Sequence, residues 1–140
     1  MTQTTAATTL AATGKVIRTL DGMVVFNPAG TNYEWHLAAP KFDGPLNRLV
    51  KCVIRVKARK VYTVPSGGNF ITPLFGPPRM VQGRVLSGDE RSLVVHAGCP
   101  IHVQLPPDPA AIDLDEGPIA VGGIVNVVCE PGARAEFVKT

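Results

Sequence analysis

The chain contains two segments that resemble each other in the same order, and this similarity constrains the fold more than any other feature. The matched pairs of segments are 14–17 with 83–86, 29–37 with 97–105, and 50–62 with 125–137. The second and third pairs align without a gap. Self-similarity at this scale indicates an internally duplicated protein. The second copy therefore tests any function assigned to residues of the first.

The local pattern of both segments is typical of β-strands. Apolar side chains at even positions from 50 to 58 alternate with Lys51, Arg55, Lys57 and Arg59, as in a strand with one buried face. Fourteen glycines and thirteen prolines divide the chain into short runs. No amphipathic helix is apparent. The predicted strands lie near 15–20, 22–27, 33–38, 49–57 and 59–64, and again near 83–87, 92–96, 101–105, 120–129 and 134–138.

An all-β, internally duplicated fold follows, with five short strands in each half. Residues 14–65 and 83–138 each suggest a small OB-like barrel, because closure removes exposed strand edges. A single fused β-sandwich or barrel is the alternative, since a short Gly-Pro turn replaces the helix that usually follows the third OB strand. Residues 1–13, rich in Thr and Ala, are expected to form a flexible arm unless a neighbouring chain orders them.

The connector between the halves, residues 66–82, is rich in Gly and Pro but unusually apolar. Its Gly and Pro content predicts no regular structure, whereas Phe70, Ile71, Leu74 and Phe75 are too apolar for a solvated linker. The connector therefore either packs between the two halves or presents a partner-binding loop.

Composition indicates a globular, cytoplasmic protein. Apolar residues make up 45% of the 140, enough for a core, yet no run approaches a membrane span and no signal peptide is apparent. Three widely spaced cysteines fit reduced thiols better than a disulfide framework. Cys52 aligns with Val127 and Cys129 with Ile54, so both are interpreted as small buried hydrophobic residues.

No catalytic, cofactor-binding or metal-binding motif is present. The histidines and cysteines lack the close spacing of a zinc site, and no phosphate loop or nucleophile elbow occurs. His36 and His102 align with Gln104 and Glu34, which predicts ordinary solvated strand residues. We therefore expect no enzymatic activity and no cofactor.

Two aromatic residues, Tyr33 and Trp35, raise the question of base stacking on an OB-like sheet. Their aligned partners, Ile101 and Val103, cannot stack on bases. An inward-facing core stripe is the simpler interpretation of both pairs.

Charge differs sharply between the halves. Residues 1–70 carry nine Lys and Arg against three Asp and Glu, whereas residues 71–140 carry five against eight, giving +6 and −3 and a net +3. The candidate binding residues on the basic strand are Arg48, Lys51, Arg55, Lys57, Arg59 and Lys60. An acidic loop gathers Asp108, Asp113, Asp115 and Glu116. Its spacing lacks the calcium-loop signature, so it is interpreted as a solvated turn.

Two functions fit these features. In the first, the protein is a non-catalytic assembly module that forms a homo-oligomer or binds another protein, with the basic strand of one copy meeting the acidic loop of the next. In the second, the basic strand, residues 48–60, binds the phosphate backbone of RNA or DNA. The modest net charge and the acidic half favour the first. No membrane partner is expected.

Overall fold

The computed structural model of the chain describes residues 10–114 and 117–138, and strands dominate them, as the sequence predicts. The strands are β1 (Ala12–Leu20), β2 (Met23–Pro28), β3 (Glu34–Ala38), β4 (Leu49–Val64), β5 (Phe70–Thr72), β6 (Phe75–Gly76), β7 (Met80–Gly88), β8 (Ser92–His96), β9 (Pro100–Gln104), β10 (Ile112–Asp113), β11 (Ile124–Cys129) and β12 (Arg134–Phe137). One short 3-10 helix covers Pro109–Ala111. Within the described ranges, no helix has the length and apolar content needed to cross a membrane.

The longest element, β4, has 16 residues and is continuous where the sequence predicts two strands. Its even positions from Cys52 to Ala58 are buried and its odd charged positions face outward, as the alternation predicts. Residues 49–55 of β4 pair with β1 and β12, and residues 54–64 pair with β9 and β11, so Ile54 and Arg55 pair on both edges. We call these two overlapping parts the start and the end of β4. A register shift opposite Ala58 absorbs the change of partners.

Strand pairing closes into two cycles, which we call the first and second strand rings. The first contains β1, β2, β3, β12 and the start of β4. The second contains β7, β8, β9, the end of β4 and β11. All twelve strands belong to one mixed sheet, in which β3–β12 and β4–β9 are parallel pairs.

The two rings exchange strands between the halves of the sequence. β4 comes from residues 14–65, yet its end belongs to the second ring, whereas β12 comes from residues 83–138 and completes the first. Each ring therefore needs both halves of the chain to satisfy its backbone hydrogen bonds. The basic strand, which belongs to the first half, runs into the second ring and pairs there with strands of the second half.

Both rings break register at the same relative place. The shift falls between Val16 and Arg18 where β1 pairs with β2, and between Val85 and Ser87 where β7 pairs with β8. A bulge of this kind bends and twists a strand, which a short strand needs in order to pair on both edges of a closed ring.

A glycine precedes each bulge because a backbone carbonyl approaches it closely. A Cβ atom at Gly14 would collide with the carbonyl oxygen of Asn27, and one at Gly83 with that of His96. Each glycine thus allows the first two strands of its ring to pack tightly.

The residues before each fourth strand also match. Asn47 has φ 60° and Gly122 has φ 88°, both in the left-handed region that Gly and Asn tolerate best. Their backbone N–H groups donate to the carbonyls of Val16 and Val85, respectively, each at 2.8 Å. These bonds fix the loop that enters β4 or β11 against the bulge.

Strand register corrects one part of the sequence alignment. Phe26 pairs with Trp35 and Val95 pairs with Ile101. Because Phe26 and Val95 lie next to equivalent bulges, Trp35 corresponds to Ile101, two residues earlier than the ungapped alignment of residues 29–37 implies. The loop between β2 and β3 is longer than its counterpart, which shifts the register.

The connector and the last residues of the predicted arm are more ordered than the sequence predicts. β5 pairs with β7 and β6 pairs with β3, so the connector forms short strands against both rings. Ala12 and Thr13, assigned to the arm, belong to β1 and pair with β4. Residues 1–9 of the arm lie outside the described residues.

We expect Gly83→Ala to destabilise the protein, because the added Cβ has no space beside the carbonyl of His96. The free energy of unfolding, measured by denaturant titration, should fall by about 1–3 kcal/mol, the usual cost of overpacking. Gly68→Ala is the control, because nothing lies within 4 Å of a Cβ at that position. Equal effects of the two substitutions would contradict the close approach.

Candidate functional site

A groove of about 510 Å³ lies on the outer face of the second strand ring. We call it the basic groove. Its walls come from β4, β8, β9, the turn between β7 and β8, and the segment that leads into β12. The ionisable residues that line it are Arg55, Lys57, Asp89, Arg91, His102 and Arg134.

Strand pairing places three of these residues in one row across the sheet. His102 on β9 pairs with Arg55 on β4, and Arg55 pairs with Arg134 on β12. Val94 on β8 extends the row on the other side of His102. Two arginines directly opposite each other on antiparallel strands repel, so this row costs stability unless an anion lies nearby.

The anion within the protein is the Glu136 carboxylate. Arg55 Nε donates to Glu136 Oε1 at 2.9 Å, and Arg134 Nε lies 3.4 Å from Glu136 Oε2. The hydrogen bond from Arg55 is the main reason that the pKa of Glu136 is lowered. One carboxylate thus bridges two guanidinium groups, which leaves the trio with net positive charge.

The other carboxylate of the groove, Asp89, is occupied by its own turn. Asp89 Oδ1 accepts hydrogen bonds from the backbone N–H groups of Arg91 at 2.7 Å and Ser92 at 3.0 Å. Both bonds lower the pKa of Asp89, and the bond from Arg91 has the larger effect. Asp89 therefore shapes the turn that presents Arg91, rather than pairing with a cation across the groove.

His102 differs from the solvated residue that the sequence predicts. It is buried, and its Nε2 lies 2.7 Å from the carbonyl oxygen of Leu10. Because a carbonyl only accepts, Nε2 carries the hydrogen in this contact. The bond fixes the described start of the chain beside the groove.

On the corresponding face of the first ring, an ion pair joins two strands. Arg18 on β1 forms an ion pair with Glu34 on β3 at 3.7 Å. The two side chains meet across β2, which lies between their strands, and Val25 of β2, the residue paired with Arg18, is fully buried. In the second ring, Ser87 and Pro100 hold the positions of Arg18 and Glu34, so that ion pair cannot form. Two positions that are charged in the first ring are therefore uncharged in the second.

The predicted basic strand divides into two sets. Arg55 and Lys57 line the groove, whereas Arg48, Lys51, Arg59 and Lys60 do not. All four of the latter are exposed. The Lys60 Nζ atom lies 5.9 Å from the centroid of the Tyr62 ring.

The apolar connector residues also divide. Ile71 is 2% exposed and belongs to the core, so it is not available to a partner, and Phe70 is half-buried. Leu74 and Phe75 are 45% and 58% exposed. Only these two present an apolar surface of the kind predicted for a partner-binding loop.

The acidic loop has a structural role where it is described. Asp108 Oδ1 accepts from the backbone N–H of Ala110 at 2.9 Å and caps the 3-10 helix. Asp113 belongs to β10, which pairs with the end of β4 at Tyr62. Asp115 and Glu116 lie outside the described residues.

The cysteines and the central aromatic residues belong to the core. Cys52, Cys99 and Cys129 are buried, and burial raises the pKa of each thiol to about 12. Trp35 is fully buried, which excludes it as a stacking platform, and Tyr33 lies against it with ring centroids 4.8 Å apart. In the described part of the chain, no group of three His, Cys, Asp or Glu residues is placed to hold a metal ion.

Sequence reasoning missed Arg91, His102, Arg134 and Glu136 as members of the site. Arg91 follows Asp89 in a turn, a local signal for a presented side chain. Arg134 lines the groove, and Glu136 lies beside Arg55, only because β12 pairs with β4, and no local pattern encodes that pairing.

Comparison of the chain with protein-family models, with curated proteins and with solved structures found no match.

We expect the three cysteines to be unreactive in the folded protein, because a thiol with a pKa of about 12 is almost fully protonated near pH 8. Iodoacetamide labelling followed by mass spectrometry should detect little modification before unfolding and three modified sites in guanidinium chloride. Rapid labelling of the native protein would contradict the burial of these thiols.

Proposed function

We propose that the protein binds single-stranded nucleic acid through its phosphate groups, in the basic groove. The observation that carries this proposal is the row of His102, Arg55 and Arg134 across three paired strands. Glu136 carries one negative charge and contacts two facing arginines, so one positive charge stays unneutralised. Such a charge does not stabilise the fold. Together with Arg55 and Arg134, the side chains of Lys57 and Arg91 give the groove four cations. A bound phosphate chain would relieve the repulsion among them.

Arginine is suited to this ligand. Its planar guanidinium group forms paired hydrogen bonds with two oxygens of one phosphate, and these charge-assisted bonds are stronger than neutral ones. The groove has a volume of about 510 Å³ and is walled by a turn and by the lead into β12, so we propose that one strand lies in it rather than the wider duplex. Single-stranded RNA or DNA is therefore the proposed ligand.

The place of the groove supports the same proposal, if each ring is one copy of an OB-like unit. OB-folds bind oligonucleotides on the face of their second and third strands and on the loops that join strands 1–2 and 4–5. In the second ring the second and third strands are β8 and β9, and the turn at residues 89–91 joins strands 1 and 2. The segment from 130 to 133 leaves the fourth strand, β11, but enters β12 of the first ring. All of these elements lie around the basic groove.

The groove contains no Phe, Tyr or Trp among its lining residues. Base stacking, which contributes strongly to many single-strand-binding proteins, would therefore be small. Binding through phosphates alone predicts little base preference and strong salt dependence. With four cationic contacts the log-log salt slope should be about −3, at roughly −0.7 per phosphate neutralised on a single strand.

Self-association is the second candidate function. Four exposed cations of the basic strand lie outside the groove, and Leu74 and Phe75 add exposed apolar surface. A homo-oligomer in which these surfaces meet acidic and apolar groups of another copy would use them. Sedimentation velocity of the protein without nucleic acid tests this candidate directly.

We expect the groove variant Lys57→Gln with Arg91→Gln to weaken binding of a fluorescent oligonucleotide of about twelve nucleotides, within the usual site size of such domains. The salt slope, measured by anisotropy titration, should lose about 1.4 units, because two phosphate contacts are removed. Both residues are exposed, so the fold should remain intact.

The matched control is Arg59→Gln with Lys60→Gln, which removes the same charge from exposed positions of β4 outside the groove. Its affinity should stay closer to that of the unmodified protein. Equal loss in both variants would indicate diffuse attraction rather than a site. Absence of any oligonucleotide binding at low salt would contradict the proposed function.

A further inference from the structure

We infer that Arg55 and Arg134 form a clamp for one phosphate group, and that Glu136 is the positioning residue that orients both. This inference rests on the proposed function, because it assigns the groove's main contact to a nucleic-acid phosphate. It concerns the trio Arg55, Glu136 and Arg134, which spans β4 and β12.

The geometry leaves the ends of both guanidinium groups available. Glu136 Oε1 accepts a hydrogen bond from Arg55 Nε at 2.9 Å, and Glu136 Oε2 lies 3.4 Å from Arg134 Nε. Among the described residues, none accepts a hydrogen bond from the terminal nitrogens of either arginine. Each group therefore keeps the terminal N–H pair that holds phosphate oxygens.

The strand register explains why one carboxylate reaches both arginines. Arg134 is directly opposite Arg55, and Glu136 follows Arg134 by two residues on the same face of β12. Glu136 is thus the same-strand neighbour of Arg134 and the diagonal neighbour of Arg55, both within reach of long side chains.

Stabilisation of the fold does not account for this arrangement. All three side chains are between 38% and 50% exposed, and exposed ion pairs contribute little to stability. Facing arginines also repel, so an apolar or oppositely charged pair would stabilise the same strands better. What the trio provides is two long, otherwise mobile side chains held in fixed directions beside the groove, which lowers the entropy lost on binding.

Glu136→Gln separates positioning from simple electrostatics, because the two predict opposite signs. Removal of a negative charge beside the groove should strengthen nucleic-acid binding if Glu136 only screens the arginines. If Glu136 positions them, affinity for the oligonucleotide should fall by about threefold or more, the ratio expected for a weak exposed ion-pair coupling, despite the added net positive charge.

Glu130→Gln is the matched control. Glu130 is exposed, and its backbone N–H donates to the carbonyl of Lys57, so it lies near the groove without contact to either arginine. It removes the same charge and should leave affinity unchanged or slightly raised. Nitrogen-15 NMR provides a readout without nucleic acid: the Nε–H signal of Arg55 should be protected from exchange in the unmodified protein and lose protection in Glu136→Gln only.

Three outcomes are distinct. Weaker binding in Glu136→Gln, with unchanged or stronger binding in Glu130→Gln, supports the clamp. Equal or tighter binding in Glu136→Gln, while the unmodified protein binds, overturns the clamp and leaves the proposed function standing. Failure of the unmodified protein to bind any oligonucleotide at low salt overturns both.

Discussion

Strand β4 is the element on which the rest of the structure depends, because it hydrogen-bonds on both edges along most of its length. Its start closes the first ring with β1 and β12, and its end closes the second with β9 and β11. A strand that belongs to two rings has neighbours on both edges, so its register is fixed. The alternation of its side chains then determines which residues face the core and which face solvent. A one-residue slip would turn Arg55 and Lys57 into the core and break both rings at once.

The fixed register of β4 also determines where its basic residues lie. Because the even positions of β4 from 52 to 58 reach the core, Arg55 and Lys57 face outward where the two rings adjoin, beside β9 on one edge and β12 on the other. Cations from distant parts of the chain then share one surface. The proposed site is thus a consequence of strand exchange: without the crossing of β12, Arg134 and Glu136 would lie in a different part of the sheet from Arg55.

The sequence predicted the local features of the strands but not which strands pair with each other. Alternation located the buried face of β4, Gly and Pro punctuation located most strands, and equivalence to aliphatic residues marked Cys52 and Cys129 as core residues. The exchange of strands is a long-range choice between partners with similar local patterns, so no period or turn residue encodes it. The slip in the alignment around Trp35 arose from a difference in loop length, which an ungapped comparison cannot detect. His102 was misassigned because burial of its outer face comes from the chain at Leu10, far away in sequence.

The difference between the two rings supports our proposal that the ligand binds beside the second. Both have a register shift, a close-approach glycine and a left-handed residue, Asn47 or Gly122, at equivalent places, so the rings differ in their side chains more than in their backbone. Arg18 and Glu34 form an ion pair across β2, whereas Ser87 and Pro100 at the equivalent positions cannot. The basic groove gathers Arg55, Lys57, Arg91 and Arg134, and one carboxylate, that of Glu136, bridges two of them. These cations keep a net positive charge that the shared backbone does not need, and the proposed nucleic-acid phosphate would neutralise it.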